Sequence, residues 1–575
     1  MSNTTPPGPD SSGHNPGGPE FLESSAGSPV AREAHAGDNR KRLLAVGGLV
    51  GVLAVGGGAV WAATSFLATG SQPAEALPAS TLGYVSIDLD PSGGQKIEAI
   101  KTLRKFPAFK EQTGLDTDDD LREKIVEEIV KSGECEGLDY AKDVEPWLGS
   151  RAAMAAADLG GDTPTAVMVV QVTDAGKAED GVDNLLQVCG AGASAEGSDS
   201  SDSSGDTGGY VISGDWLVVG KNEAEAQKVV DATEKGSLAD DADFQKWTGE
   251  AGDSGIMSMY AAPEAGDFMS RYLTDMPGMG SMFGMPSADG FEIDPETGEF
   301  VENAPSGTES VPPELTEMLE QFDGAAATVR FDDGGLEFEA AYSNYQGELT
   351  KDFLGDAGVE MVQGLPDDTV AAFGLGFGEG WAQSLIDYMA KSSPEGTDVD
   401  DLIAQAEEET GLALPEDLET LMGEGMAIGL GSGIDPDAIV NGGPSELPLG
   451  IKIKGDAAEI QAVLDKVKDL AGPDVAPYLE VTEADGYAVL GTNDAYKESL
   501  TSTGSLGDTD AYTKVIEGDA QSVMFLNFDA DDDWLVRLAE DEPEVSDNLE
   551  PLSAVGISGW LDGDVVHGVF KVTTD

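Results

Sequence analysis

The sequence predicts an α+β protein: two tandem homologous repeats of mainly antiparallel sheet with packed helices, preceded by one transmembrane helix and a disordered N-terminal tail. Three observations predict it. An apolar, uncharged segment runs from Leu43 to Ala63, a set of motifs returns in the same order, the first of them 288 residues later (365 − 77), and short strand signals alternate with single amphipathic helices through both copies. At 575 residues the chain also exceeds what one hydrophobic core of about 250–300 residues normally organises, so at least two folded units are expected.

The elements follow in chain order. Residues 1–42 are rich in Pro, Gly and Ser and lack an apolar period, so they cannot bury enough surface to offset the entropy of ordering. A disordered cytoplasmic tail is expected there. Residues 43–64 have the length and composition of a membrane-crossing helix. The Arg40-Lys41-Arg42 cluster before them places the tail inside and the rest outside by the positive-inside rule. A cleaved signal peptide is the alternative, disfavoured by the long, acid-containing leader. The expectation is therefore a single-pass protein of the cell membrane that contacts the lipid bilayer through one helix and carries an extracytoplasmic domain. A linker follows at 65–76, then a first repeat at 77–345, a connecting segment at 346–363 and a second repeat at 364–575.

The duplication is visible by laying the chain on itself. Leu77-Pro-Ala-Ser-Thr81 returns as Leu365-Pro-Asp-Asp-Thr369, each a turn leading into a strand. The helix with Ile125, Val126 and Ile129 on one face has its counterpart after Asp401, and the helix with Ala178, Val182 and Leu185 matches one with Ile460, Val463 and Leu464. Val218-Val-Gly-Lys-Asn-Glu-Ala224 matches Val489-Leu-Gly-Thr-Asn-Asp-Ala495. Each copy closes on a hairpin, Ala326 to Tyr342 turning at Asp333-Gly334 and Val555 to Val572 turning at Asp562-Gly563. These patterns imply helices packed on one face of each antiparallel sheet.

The Leu-Pro-x-x-Thr openings, the Phe106-Pro107-Ala-Phe109 turn, the Trp147-Leu-Gly149 segment and the Val-Gly-x-Asn-x-Ala motif resemble the bacterial membrane-anchored domain-of-unknown-function family numbered 3352. The resemblance covers most of residues 75–575. It implies membrane-anchored topology and no activity, because no catalytic residues are assigned to that family.

Charge and chemistry exclude more than they nominate. The balance of 31 basic and 109 acidic residues, a formal charge of −78, opposes binding of phosphate backbones, so no nucleic-acid partner is expected. Cys135 and Cys189 lie on the same side of the apolar segment and pair in an oxidising compartment if their backbones approach closely enough; two unpaired thiols are the alternative. Met276, Met279, Met282 and Met285 recur every third residue in an insertion at about 272–312 absent from the second repeat, and such thioethers are candidate Cu(I) ligands or adaptable apolar contacts. The insertion also holds a small hairpin signal with its turn at Asp294-Pro295.

Gly252-Asp253-Ser254-Gly255 resembles a serine-protease nucleophile turn, but His567 is the one histidine beyond the tail and follows the serine. Asp116, Asp118, Asp120 and Glu127 have the spacing of a calcium loop, with Leu121 where the sharp turn needs glycine, and read better as helix-capping charges. No catalytic residue and no cofactor is nominated. The sequence is thus expected to encode a non-enzymatic module that binds an envelope protein or ligand through its sheet faces or its Met-rich insertion. A carboxylate-dependent hydrolase and extracytoplasmic Cu(I) handling stand as alternatives.

Overall fold

The computed structural model describes most of residues 71–575; residues 1–70, 110–119, 191–208 and most of 273–318 are outside the described set, with shorter breaks elsewhere. Sixteen strands form one antiparallel sheet. The first half supplies β1 (Thr81–Asp88), β2 (Leu148–Ala157), β3 (Thr165–Val172), β4 (Gly209–Ser213), β5 (Trp216–Gly220), β6 (Met257–Ala261), β9 (Ala325–Asp332) and β10 (Gly335–Ser343). The second supplies β11 (Ala371–Gly376), β12 (Gly425–Leu430), β13 (Leu449–Lys454), β14 (Thr482–Ala484), β15 (Tyr487–Gly491), β16 (Ser522–Asn527), β17 (Leu552–Asp562) and β18 (Val565–Thr574). Between them β7 (Glu292–Ile293) and β8 (Phe300–Val301) make a separate two-stranded ribbon, which flanks the turn expected at Asp294-Pro295.

The sheet corrects the expected architecture. Its order is β14-β15-β13-β12-β11-β16-β17-β18-β10-β9-β6-β1-β2-β3-β5-β4, so the two closing hairpins join each other instead of ending two tandem units. The joint is long: Gly335 to Ser343 of β10 pair with Thr573 to Val565 of β18 without interruption. The physical reason is that two hairpin edges of this length would each expose a row of unpaired backbone donors and acceptors, and pairing them satisfies both. A single sheet therefore replaces the two tandem repeats. The transmembrane helix expected at 43–64 and the tail at 1–42 lie outside the described residues, and among the described residues no helix is long and apolar enough to cross a membrane.

Helices cover both faces, a second departure from the one-sided packing expected. On one face α4 (Glu223–Thr233) and α5 (Ala242–Glu250) bury Val229 and Trp247 against Val169, Val218 and Tyr260. Farther along that face α7 (Ala357–Gln363), α11 (Asp494–Leu500) and α12 (Asp510–Val515) cover Ala372, Val489 and Phe525. On the opposite face α2 (Leu121–Lys131) and α3 (Ala175–Gly190) pack Val126 and Val182 on Val170 and Leu217, and α1 (Gly94–Leu103) places Ala99 on Val329 and Phe331. There too α9 (Glu416–Met422) and α10 (Ala457–Ala471) cover Ile453 and Leu490, while α6 (Glu348–Phe353) and α8 (Trp381–Ser392) enclose Phe377. The sequence carries the reason: β5 is Trp-Leu-Val-Val-Gly, buried at every position, and a strand covered on both sides reads as a continuous apolar run.

Local signals explain where helices begin. Asn222 and Asn493 accept backbone N–H bonds from the first turns of α4 and α11, and Asp456 does the same for α10. The closing hairpins turn through Gly334 and Gly563, at φ +80° and +60°, a region that a residue lacking Cβ reaches without strain.

Candidate functional site

The centre of the sheet, where β16, β17, β18 and β10 lie side by side, has two unlike faces. Side chains alternate along each strand, so the residues of one face are fixed once one is placed. Phe525 and Ala554 point into the core under α12. Their neighbours Met524 and Ile557 therefore point to the opposite face, and there the covering helices stop short.

What they leave bare is a row of large apolar side chains. Phe373 on β11 pairs with Met524 on β16, Met524 with Ile557 on β17, and Ile557 with Phe570 on β18. Their exposures are 42, 41, 42 and 36%. Four such residues in cross-strand register on adjacent strands make a continuous stripe about 14 Å long, three strand spacings of about 4.8 Å. Phe338 of β10, partly buried in the core under α1, extends it by one more strand.

The stripe runs into a pocket of about 510 Å³ between the sheet and the α6–α8 pair. Its walls include Tyr342, Phe353, Leu354, Leu385, Ile557 and Val566, with Thr350, Ser522, Ser558 and His567 among the polar members. Phe353 is held by edge-on contacts to Phe377 and Trp381, at ring-centroid distances of 5.7 and 5.3 Å. The floor is lowered by Gly559 and Gly568, which face each other across β17 and β18. A Cβ placed on Gly568 would meet no atom within 4 Å. The space above it is open.

The opposite face at the same strands is charged and closed. Arg330 of β9 donates to Glu337 and Glu339 of β10 and to the carbonyl of Asp253 at 2.9 Å. Lys571 of β18 reaches Glu337 at 3.1 Å and Glu517 at 2.6 Å. His567, 7% exposed, stacks on Trp560 with ring centroids 4.9 Å apart and planes 4° from parallel. Its Nε2 stands 3.7 Å from a Glu250 carboxylate oxygen, too far for a hydrogen bond, and its Nδ1 is buried with no hydrogen-bond partner among the described residues.

The residues singled out from sequence fall as follows. Met276, Met279, Met282 and Met285 lie outside the described residues, as do Asp116 and Asp118. Asp120 spends its carboxylate on Arg122, at 2.8 and 3.0 Å, and on the Tyr140 hydroxyl at 2.6 Å, while Glu127 pairs with Lys124 at 3.3 Å. Burial alone would raise the Asp120 carboxyl, but these donors hold it below its usual range. Ser254 is exposed and outside any helix, strand or turn, and Gly252 nearby takes φ +77°. Among the described residues no group of three or more His, Cys, Asp or Glu is arranged to hold a metal. The bare apolar row escaped sequence reading, since Met524 and Ile557 carry the same alternation signal as buried strand residues.

Cys135 is buried and disulfide-bonded. Cys189, the other cysteine of the chain, lies in the last turn of α3, with its side chain outside the described residues. Replacing Cys135 with serine is expected to cost about 2–4 kcal/mol, the usual loss when a long-loop crosslink is removed. Urea unfolding of the oxidised protein and the variant measures it, and coincident midpoints would refute a stabilising role.

This arrangement, one antiparallel sheet with an apolar groove at its centre, has no match among solved structures, and no curated protein matches the sequence. The chain belongs to the family of proteins of unknown function DUF3352, whose model matches residues 44–433. That match is shorter than the stretch over which the resemblance was expected to extend. It takes in β1 to β12 and ends before β13, so β16, β17 and β18 of the groove lie beyond it.

Proposed function

We propose that the chain is a binding protein whose working surface is the bare apolar row and the pocket that continues it. The observation carrying this reading is the register of Phe373, Met524, Ile557 and Phe570, exposed side by side and leading to a pocket with glycines at its floor. Exposed apolar side chains scattered singly are ordinary, whereas a contiguous row beside a concave, mostly apolar pocket is the usual form of a ligand or partner site. The pocket volume falls within the range of about 300–1,000 Å³ typical of small-molecule sites.

A non-catalytic role accords with the fate of the charged residues. A hydrolase working through paired carboxylates needs two of them converging on a pocket. The buried pair Glu337 and Glu339 is instead neutralised by Arg330 and Lys571, on the face away from the pocket.

The test is binding of the neutral dye N-phenyl-1-naphthylamine, whose emission rises in apolar sites. Saturable binding is expected for the wild type. Gly568→Phe fills the open space with a ring and should weaken the dye by at least about tenfold, or ~1.4 kcal/mol, with the thermal midpoint little changed. Unaltered dye affinity in a folded Gly568→Phe protein would end this reading.

A further inference from the structure

The strand register around the β10–β18 joint is two-fold symmetric about the Glu339–Val569 pair. Phe338↔Phe570 and Ala340↔Gly568 lie on either side of that pair, and Gly335↔Thr573 at one end is matched by Ser343↔Val565 at the other. Outward from the joint come β9 and β6 on one side, β17 and β16 on the other. The residue one place before the centre on β10 is therefore the geometric equal of the residue one place before it on β18. Those residues are Phe338 and Gly568.

The correspondence carries outward by two more strands. Val329 lies opposite Phe338 as Gly559 lies opposite Gly568, and Met257 lies opposite Val329 as Ser522 lies opposite Gly559. Strand alternation puts all six positions on the groove face. On the β10 side the three side chains are packed under α1, where Val329 is 7% exposed and Met257 and Phe338 join it in the cluster around Ala99. On the β18 side, under α6 and α8, Gly568, Gly559 and Ser522 leave the pocket of about 510 Å³. The pocket is thus a core site emptied of its side chains, and across the joint the same site is filled by a benzyl ring, a branched alkyl group and a thioether chain.

Size and charge narrow what can take their place. The three vacated positions lie on adjacent strands and span about 10 Å, two strand spacings of about 4.8 Å, which is the length of two fused rings. Phe353, fixed edge-on against Phe377 and Trp381, and Tyr342 supply aromatic walls. Among the described residues lining the pocket none is Asp, Glu, Lys or Arg, so a charge brought inside would lose its hydration without gaining a counter-charge. Resting on the binding role proposed above, we infer that the pocket takes a neutral two-ring aromatic compound, one ring over Gly568 where Phe338 stands across the joint and the other over Gly559. These two glycines set its selectivity.

The experiment displaces N-phenyl-1-naphthylamine from the full-length protein at neutral pH with 1-naphthol, with 1-octanol as a linear alcohol of similar apolarity, and with 1-naphthoate as the charged counterpart. Inhibition constants are compared. Naphthol is expected to bind at least tenfold more tightly than octanol and than naphthoate. Gly568→Phe, which installs the side chain of the filled site, should weaken naphthol at least tenfold and narrow its lead over octanol to threefold or less. Gly568→Val should weaken naphthol at least threefold and decides the matter should the phenylalanine variant fail to fold. Octanol or naphthoate binding as tightly as naphthol to the wild type, or a naphthol lead over octanol that persists in the Gly568 variants, overturns the two-ring assignment while dye binding keeps the pocket standing. Naphthol and dye affinities both unaltered in the folded Gly568 variants overturn the pocket itself.

Discussion

Arg330→Met is expected to destabilise the protein by on the order of 3–5 kcal/mol, because it strips the main counter-charge from two buried carboxylates. The Arg330 side chain is 13% exposed, Glu337 is 7% and Glu339 is 12%. None of the three can turn to water for compensation. Lys571 would remain as the cation beside Glu337, itself shared with Glu517. Urea unfolding at neutral pH measures the loss. Replacing Arg330, Glu337 and Glu339 together with apolar residues of similar volume should recover much of it, since a filled apolar site carries no desolvation penalty. A single Arg330→Met variant within 1 kcal/mol of the wild type would contradict the claim that the network holds this region.

The same network sets a pH response of known sign. Burial by itself lowers the affinity of Lys571 for its proton, but the Glu517 and Glu337 carboxylates more than offset that and hold its pKa above the ordinary lysine value. A cation with a raised folded pKa contributes stability below its unfolded pKa, about 10.4, and loses it as pH climbs through the folded value. The urea midpoint of the wild type should therefore fall between pH 9 and pH 11.5, and Lys571→Met should show a shallower fall. Parallel curves would mean that Lys571 is not the group responsible.

Trp247→Ala carries the other large expected effect, about 3–5 kcal/mol, the range found for emptying a buried aromatic site. Trp247 is 1% exposed and its indole N–H donates to the Asp323 carbonyl at 2.8 Å. Gly324, at φ +117°, lies so close that a Cβ there would fall 2.0 Å from the indole nitrogen. Truncation thus opens a cavity and leaves a carbonyl unpaired together. Thermal unfolding followed by circular dichroism is the measurement, and a cost below about 1.5 kcal/mol would indicate that the layers above β9 close over the space.

Much of this molecule could be read from residues in local contact. The Gly334 and Gly563 turns and the faces of α2, α3 and α10 were legible because each is set within a few residues of its signal. The fusion of the two hairpins was not, since Phe338 meets Phe570 at a sequence separation of 232 (570 − 338) and no local pattern announces a partner that distant. The groove was hidden for a related reason. Phe373, Met524, Ile557 and Phe570 look like core residues one strand at a time, and their shared exposure exists only once four strands are in register and α6 and α8 are seen to cover part of the face. Helices on both faces were underestimated because β16 and β17 keep the alternating pattern of a one-sided sheet, while β3 and β5 do not.

The uninterrupted ladder between β10 and β18 bears on the covalent continuity of the chain. Nine paired positions, with Arg330, Glu337 and Lys571 locked alongside them, form a self-recognising junction that depends on shape and charge and not on the peptide bonds near residues 344–347. Those bonds become a tether that raises the local concentration of one half for the other. Two polypeptides separated there should still find each other and reassemble, more slowly and in a concentration-dependent way.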